Sequence, residues 1–361
     1  MTRLILASLA LLTACDIKVD GKDSTGATNG GAAATGEKLS APSPSLQFPD
    51  AGKADSYVAP LPQLAAQVAL DRAGFSSGAI DGKDGRFFEL AVRGFQEANG
   101  LQVSGKLDPD TSQALQLGQV PATRLVKIPA SFAQGPFVPD LPDDATKQAK
   151  FPALGYRDLM EALAERFHTT PQTLVALNSP QTKVGAGRVI RVPNIADIDP
   201  SSLLQDQRGW NRTLQTLAIT PDQPAASKIV VDKSDKLLKV LDAQEKLIAQ
   251  FPATMGSSHD PLPIGTWKIQ GVSRNPDFHY NPDLFWDVSD NKKAQLLKPG
   301  PNNPVGVVWI DLSKPHYGIH GTGEPSTIGR SQSHGCVRLT NWDAARLAQM
   351  VKPGLPAIFQ E

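Results

Sequence analysis

Residues 228–256 read KIVVDKSDKLLKVLDAQEKLIAQFPATMG, and this stretch decides the class of the carboxy-terminal fold. Three apolar runs are separated by two polar clusters, DKSD and DAQEK. Short apolar runs between turn formers read as neighbouring strands, a meander. Outward from it the pattern persists: GTWKIQGV (265–272) and PVGVVWIDL (304–312) are two more β-rich runs. A helix signal comes late. Thr340 and Asp343 form a T-x-x-D cap, and Ala344, Leu347, Ala348 and Val351 supply the apolar face behind it. Residues 228–361 are therefore expected to form a mostly β domain, within a multidomain chain of α+β class.

The chain has 361 residues, room for two or three domains. Lys plus Arg number 36 and Asp plus Glu 36, a formal net charge of zero. Neutralising a phosphate backbone needs an excess of cations, so a nucleic-acid partner is not expected. A hydrophobic content of 40% fits a globular protein with some unstructured length. With 30 Gly and 30 Pro, many turns and short strands are expected rather than long helical bundles.

The two cysteines are Cys15 and Cys336. The first closes MTRLILASLALLTACD, with Arg3, an apolar run from Leu4 to Leu12, then small residues. A run this short fits a secretory signal and does not span a bilayer. An ordinary signal peptide with an incidental cysteine is the plainer alternative. Residues 16–56 are Gly-, Ala-, Ser- and Thr-rich without apolar periodicity, the composition of a disordered tether.

Cys336 lies in YGIHGTGEPSTIGRSQSHGCVRL (317–339). A structural zinc site wants four ligands, and no second interior cysteine joins His320, His334 and Cys336 to close one, so no metal is expected. Nor is any cofactor. A lone buried cysteine is commonly an inert small hydrophobe. This one stands in a polar, glycine-rich turn with histidines at hand, the setting of a nucleophile whose proton an imidazole removes.

Two smaller units precede this domain. In residues 57–120, Phe88, Ala91, Val92 and Phe95 form the stripe of an amphipathic helix that Gly100 ends. Leu64 and Val68 point to an earlier helix, and Asp110 to Leu115 to the start of a third. In residues 151–195, Leu159, Leu163 and Phe167 step by four, and Thr170 before Pro171 caps a second helix filled by Leu174 and Leu177. Val189 to Val192 end as a strand. Residues 121–150 and 196–227 read as proline-punctuated linkers.

Four resemblances follow from these residues. LTAC (12–15) resembles a bacterial lipobox, which implies a signal peptide over 1–15, lipid on Cys15 and a membrane anchor on the periplasmic side; Asp16 would favour the inner membrane. Residues 57–120 resemble the peptidoglycan-binding-domain family of three-helix modules, except that Asp84 replaces its usual aromatic and Phe88 its usual threonine. Residues 151–195 resemble a LysM module, whose order is strand, helix, helix, strand and whose ligand is an N-acetylglucosamine polymer; its opening strand is not visible. Residues 228–361, through PLPIGTWKI, NPVGVVWIDL, IHGT and SHGCVRL, resemble the L,D-transpeptidase (YkuD-type) catalytic family.

The last resemblance implies a β-sandwich-like fold and attack on peptidoglycan stem peptides at the L-centre of meso-diaminopimelate, with release of D-alanine and transfer to an amine. By it, Cys336 is the nucleophile, His320 the base and the Gly321 carbonyl its orienter. His334, Gly335 and the Cys336 N–H would shape an oxyanion site. Arg338, Ser333 and Thr322 would meet substrate, with a structural ion pair as the other reading of Arg338. His316, on a strand with His320, is read as peripheral, and His259 lies outside the motif. His279, in RNPDFHYNPDLFWDVSDNKKAQ (274–295), would line a lid. A thiolate paired with an imidazolium is expected to pre-activate the sulfur. A stem-peptide hydrolase such as an L,D-carboxypeptidase, and a catalytically silent wall-binding lipoprotein, stay open as alternatives.

Overall fold

The computed structural model describes residues 46–52, 61–203, 205–282 and 293–361. Cys15, the leader and most of the tether lie outside them. Three helices open the chain: α1 (Leu64–Arg72), α2 (Arg86–Ala98) and α3 (Pro109–Ala114). Phe88, Ala91, Val92 and Phe95 are all buried, as the stripe predicts. Next come β1 (Thr123–Lys127), the single turns α4 (Ala130–Ala133) and α5 (Ala145–Gln148), then α6 (Leu159–Arg166), α7 (Pro171–Leu177) and β2 (Val189–Pro193). The Thr170 hydroxyl caps α7 by accepting from Thr173 N at 3.1 Å.

The segments expected to be linkers are structured. β1 sits in the first and pairs antiparallel with β2, so a strand, two helices and a strand do stand together, with an insertion after the first strand. The second linker contains α8 (Trp210–Leu217), whose Trp210, Leu214 and Leu217 are buried against the carboxy-terminal core. Even the end of the expected tether is placed: Leu46 and Phe48 are buried, and Ala51 N donates to Leu125 O at 2.9 Å beside β1.

The carboxy-terminal domain contains β3 (Lys228–Asp232), β4 (Leu237–Leu241), β5 (Leu247–Pro252), β6 (Thr254–Met255), β7 (Gly265–Arg274), β8 (Phe278–Tyr280), β9 (Gln295–Leu297), β10 (Val308–Leu312), β11 (Gly318–His320), β12 (Val337–Arg338), α9 (Asn341–Met350) and β13 (Pro356–Gln360). The meander is present as β3–β4–β5. Nine strands form one sheet in the order β5-β4-β3-β13-β7-β10-β11-β12-β6. β5 and β6 are its two edges, yet Ala253 alone joins them. Only a sheet coiled until its edges meet allows that. The expected sandwich is thus a single barrel-like sheet, which keeps few edges open.

The units share cores. Leu64, Val68 and Ile80 of the first unit pack with Leu163, Phe167 and Val192 of the second. Leu247 of β5 belongs to the core of the three-helix unit. Loop 74–76 pairs with the β5 edge: Ser76 N donates to Gln250 O at 2.9 Å, and Gln250 N to Gly74 O at 3.0 Å.

Candidate active site

β11 and β12 are parallel, with Ile319 opposite Val337 and His320 opposite Arg338. A parallel pair requires a crossover, here residues 321–336, and it returns the chain to the side on which β11 began. Side chains alternate between faces along a strand, so Ile319 and Val337 share the inner face and are fully buried. Cys336 immediately precedes β12, the strand that pairs with the one carrying His320.

Trp309 bridges the two. It pairs with His320 across β10 and β11, its ring stacks on the imidazole at 5.8 Å between centroids, and it packs in one apolar cluster with Cys336. That cluster also holds Leu141, Leu154, Phe278, Leu297 and Val305. Leu141 comes from the expected first linker and Leu154 from the start of the expected LysM-like unit, and both pack in the cluster that holds the cysteine. Cys336 and His320 are each 6% exposed. On its polar side the sulfur is 3.9 Å from the His316 carbonyl oxygen.

His320 Nδ1 lies 2.7 Å from Gly321 O. A carbonyl only accepts, so Nδ1 carries the hydrogen and Nε2 keeps its lone pair. Burial, then the Arg338 charge, press the imidazole down to about 3 against the help of that hydrogen bond. Both effects favour the neutral imidazole.

Ser333 braces the loop: its hydroxyl donates to Cys336 O at 2.6 Å and accepts from Gly256 N at 2.7 Å. Both contacts are internal. Thr322 is 7% exposed and its hydroxyl accepts from Glu324 N at 3.2 Å. Gly335 has φ +94°, and a Cβ there would meet the Tyr317 ring at 2.5 Å. Glycine is therefore required immediately before the cysteine. His334 is half-buried beside it, and Arg338 lies in β12 facing the His320 side.

His316 is not on the strand: it has φ +68° in the turn before β11. In the β8–β9 hairpin Phe278 points to the cysteine cluster, while His279 is exposed on the other face. Residues 283–292, the rest of the expected lid, lie outside the described residues. Among the described residues no three His, Cys, Asp or Glu side chains are grouped to hold a metal.

Sequence reading missed the residues that support the His320–Gly321 segment. Asn341, the first residue of α9, accepts from Val307 N at 3.2 Å and lies so close to Gly321 that a Cβ there would be 2.4 Å from Asn341 Oδ1. Its amide donates to Glu165 Oε1 of α6 at 3.0 Å, and Tyr156 OH donates to Glu165 Oε2 at 2.9 Å. Burial pushes the Glu165 carboxyl up to about 8, which Tyr156 and Asn341 only moderate.

With this geometry in view, residues 226–358 match the family described as "L,D-transpeptidase catalytic domain". That match falls on the carboxy-terminal domain. Residues 64–115 match "Putative peptidoglycan binding domain". A protein named "Putative L,D-transpeptidase YkuD" in Bacillus licheniformis is 28% identical over 199 residues, 55% of this chain and 90% of its own. Its namesake in Bacillus subtilis is 50% identical over 114 residues, 32% of this chain and 54% of its own. The solved "L,D-transpeptidase from Mycobacterium smegmatis" has 19% identity and a TM-score of 0.31, covering 38% of this chain and 59% of its own. The chain thus spans little more than half the length of the second and third of these proteins.

Proposed function

We propose that the chain is a cysteine-dependent L,D-transpeptidase that forms 3→3 cross-links between peptidoglycan stems. The observation that carries this reading is Trp309, whose ring stacks on His320 and packs in one cluster with Cys336. As Cys336 sulfur attacks the carbonyl carbon of the diaminopimelate L-centre, its proton passes to His320 Nε2. Backbone N–H groups of the Gly335–Cys336 turn face the developing oxyanion. The C–N bond to D-alanine breaks, that nitrogen takes the proton from His320, and a thioester remains. An acceptor amine then attacks the thioester, His320 takes the amine proton, and the thiol is restored.

The helical unit at 64–115 would hold the polymer. The strand–helix–helix–strand arrangement of β1, α6, α7 and β2 supports a LysM-like second contact. Lipid on Cys15 would tether the chain on the periplasmic side of a membrane. Incubation with purified disaccharide tetrapeptide, read by mass spectrometry, tests the reaction. Cross-linked dimers from the wild type and none from Cys336→Ala are expected; tripeptide products alone would assign a hydrolase instead.

A further inference from the structure

The chain holds a second polar cleft, of about 760 Å3, walled by loop 77–88 of the three-helix unit, the first turn of α7 and residues 325–330. That volume is in the range of small-molecule sites. Leu154, Phe278 and Leu297, which surround Cys336, do not line it. The third wall belongs to the crossover between His320 and Cys336.

The walls are fixed against one another. Ile80 N donates to His168 O at 2.8 Å, and the Thr169 hydroxyl donates back to Ile80 O. Lys236 Nζ donates to Gly329 O at 2.9 Å, and Arg86 donates to Ser234 O at 2.6 Å. Gly329 has φ +72°, and a Cβ there would come within 2.1 Å of the Phe87 ring. The cleft is formed before any ligand arrives.

Its charges are unevenly paired. Arg86 bonds Asp235 at 3.1 Å, Lys236 is tied to Gly329, and Asp81 accepts from Gln67 Nε2 at 3.1 Å. Lys83 and Arg330 are exposed, line the cleft and make no ion pair among the described residues. On the same lining, Ser77 Oγ is buried without a hydrogen-bond partner among the described residues. Asp84 is the one exposed acid of this wall.

We propose that this cleft binds a carboxylate-bearing stem of a peptidoglycan strand, with Lys83 and Arg330 as its anion contacts, beside the stem that reacts at Cys336. The inference rests on the function proposed above and adds a site to it. Exposed ion pairs of this kind weaken with salt.

The test uses the full chain carrying Cys336→Ala, so that nothing turns over, and soluble uncross-linked glycan strands bearing tetrapeptide stems. Lys83→Gln with Arg330→Gln is expected to raise the Kd about tenfold and to flatten its salt dependence. Asp84→Lys adds a cation to the same wall and is expected to lower the Kd. All three positions are exposed, so the fold is not at risk. A double variant that binds within twofold of its parent, or an Asp84→Lys chain that binds more weakly, overturns the site. Failure of the proposed reaction shows separately, as a chain with intact Cys336 that forms no β-lactam adduct whatever its strand binding.

Discussion

His320 and Glu165 are titrating groups that burial shifts in opposite senses. His320 stays neutral down to about 3, against an ordinary 6.5. A base that is already neutral has no acid limb near 6.5, so the rate of Cys336 acylation by a β-lactam should stay level from pH 7 to 5. A fall centred near 6.5 would refute that assignment. His320→Ala should slow the same step about 10²-fold or more, the usual contribution of a positioned general base. For stability the sign follows from proton binding: between 6.5 and about 3 the unfolded chain binds a proton that folded His320 does not, so this group erodes stability as pH falls. Glu165 acts the other way. Its folded value of about 8 lies above 4.5, so its contribution is whole below 4.5 and is lost as pH rises through 8. Glu165→Gln should flatten the alkaline decline in melting temperature, and an unchanged decline would place its cause elsewhere.

Local elements were legible where a few neighbouring residues decide them. The Thr340 hydroxyl accepts from Asp343 N at 3.1 Å as the T-x-x-D pattern predicts, and Thr340→Ala should cost about 1 kcal/mol in a denaturant titration. A loss near zero would show that tertiary packing alone holds α9. The α2 stripe and the Thr170–Pro171 start are of the same kind. β1 was not legible, because its partner β2 lies some sixty residues on and only pairing gives five residues such as Thr123–Lys127 a structure. α8 was legible in principle: Trp210, Leu214 and Leu217 have helical spacing, hidden by a polar, proline-flanked context. In the candidate site, the motif singled out Cys336, His320 and Gly321 through their contiguous neighbours. Trp309, Asn341 and Glu165 were hidden because they reach His320 and Gly321 only through sheet pairing and docking between units.

At the scale of the molecule, the units do not hang as beads on a tether. Buried Asp71 of α1 faces His168 Nδ1 at 3.0 Å and Arg346 of α9 at 3.3 Å. Burial alone would raise its carboxyl, but His168 and Arg346 hold it well below the usual range. His168 stacks on Trp342 at 5.3 Å, and Ser76 donates to Asp343 at 2.9 Å. Removing one member of a buried charged set leaves its partners unpaired, at about 3–5 kcal/mol. Asp71→Ala should therefore destabilise the whole chain and open the 61–203 region to protease before residues 228–361; an equal cleavage order to wild type would mean the docking does not depend on it. The same docking makes one body of the three-helix unit and the domain that carries Cys336, through β5, α6 and α9. What joins these scales is the proposal that Cys336 carries an acyl group on its sulfur. Intact-mass spectrometry after exposure to a carbapenem tests that most directly: one adduct on the wild type and none on Cys336→Ala is the predicted result. An adduct on the variant, or an unlabelled wild type, would contradict the account.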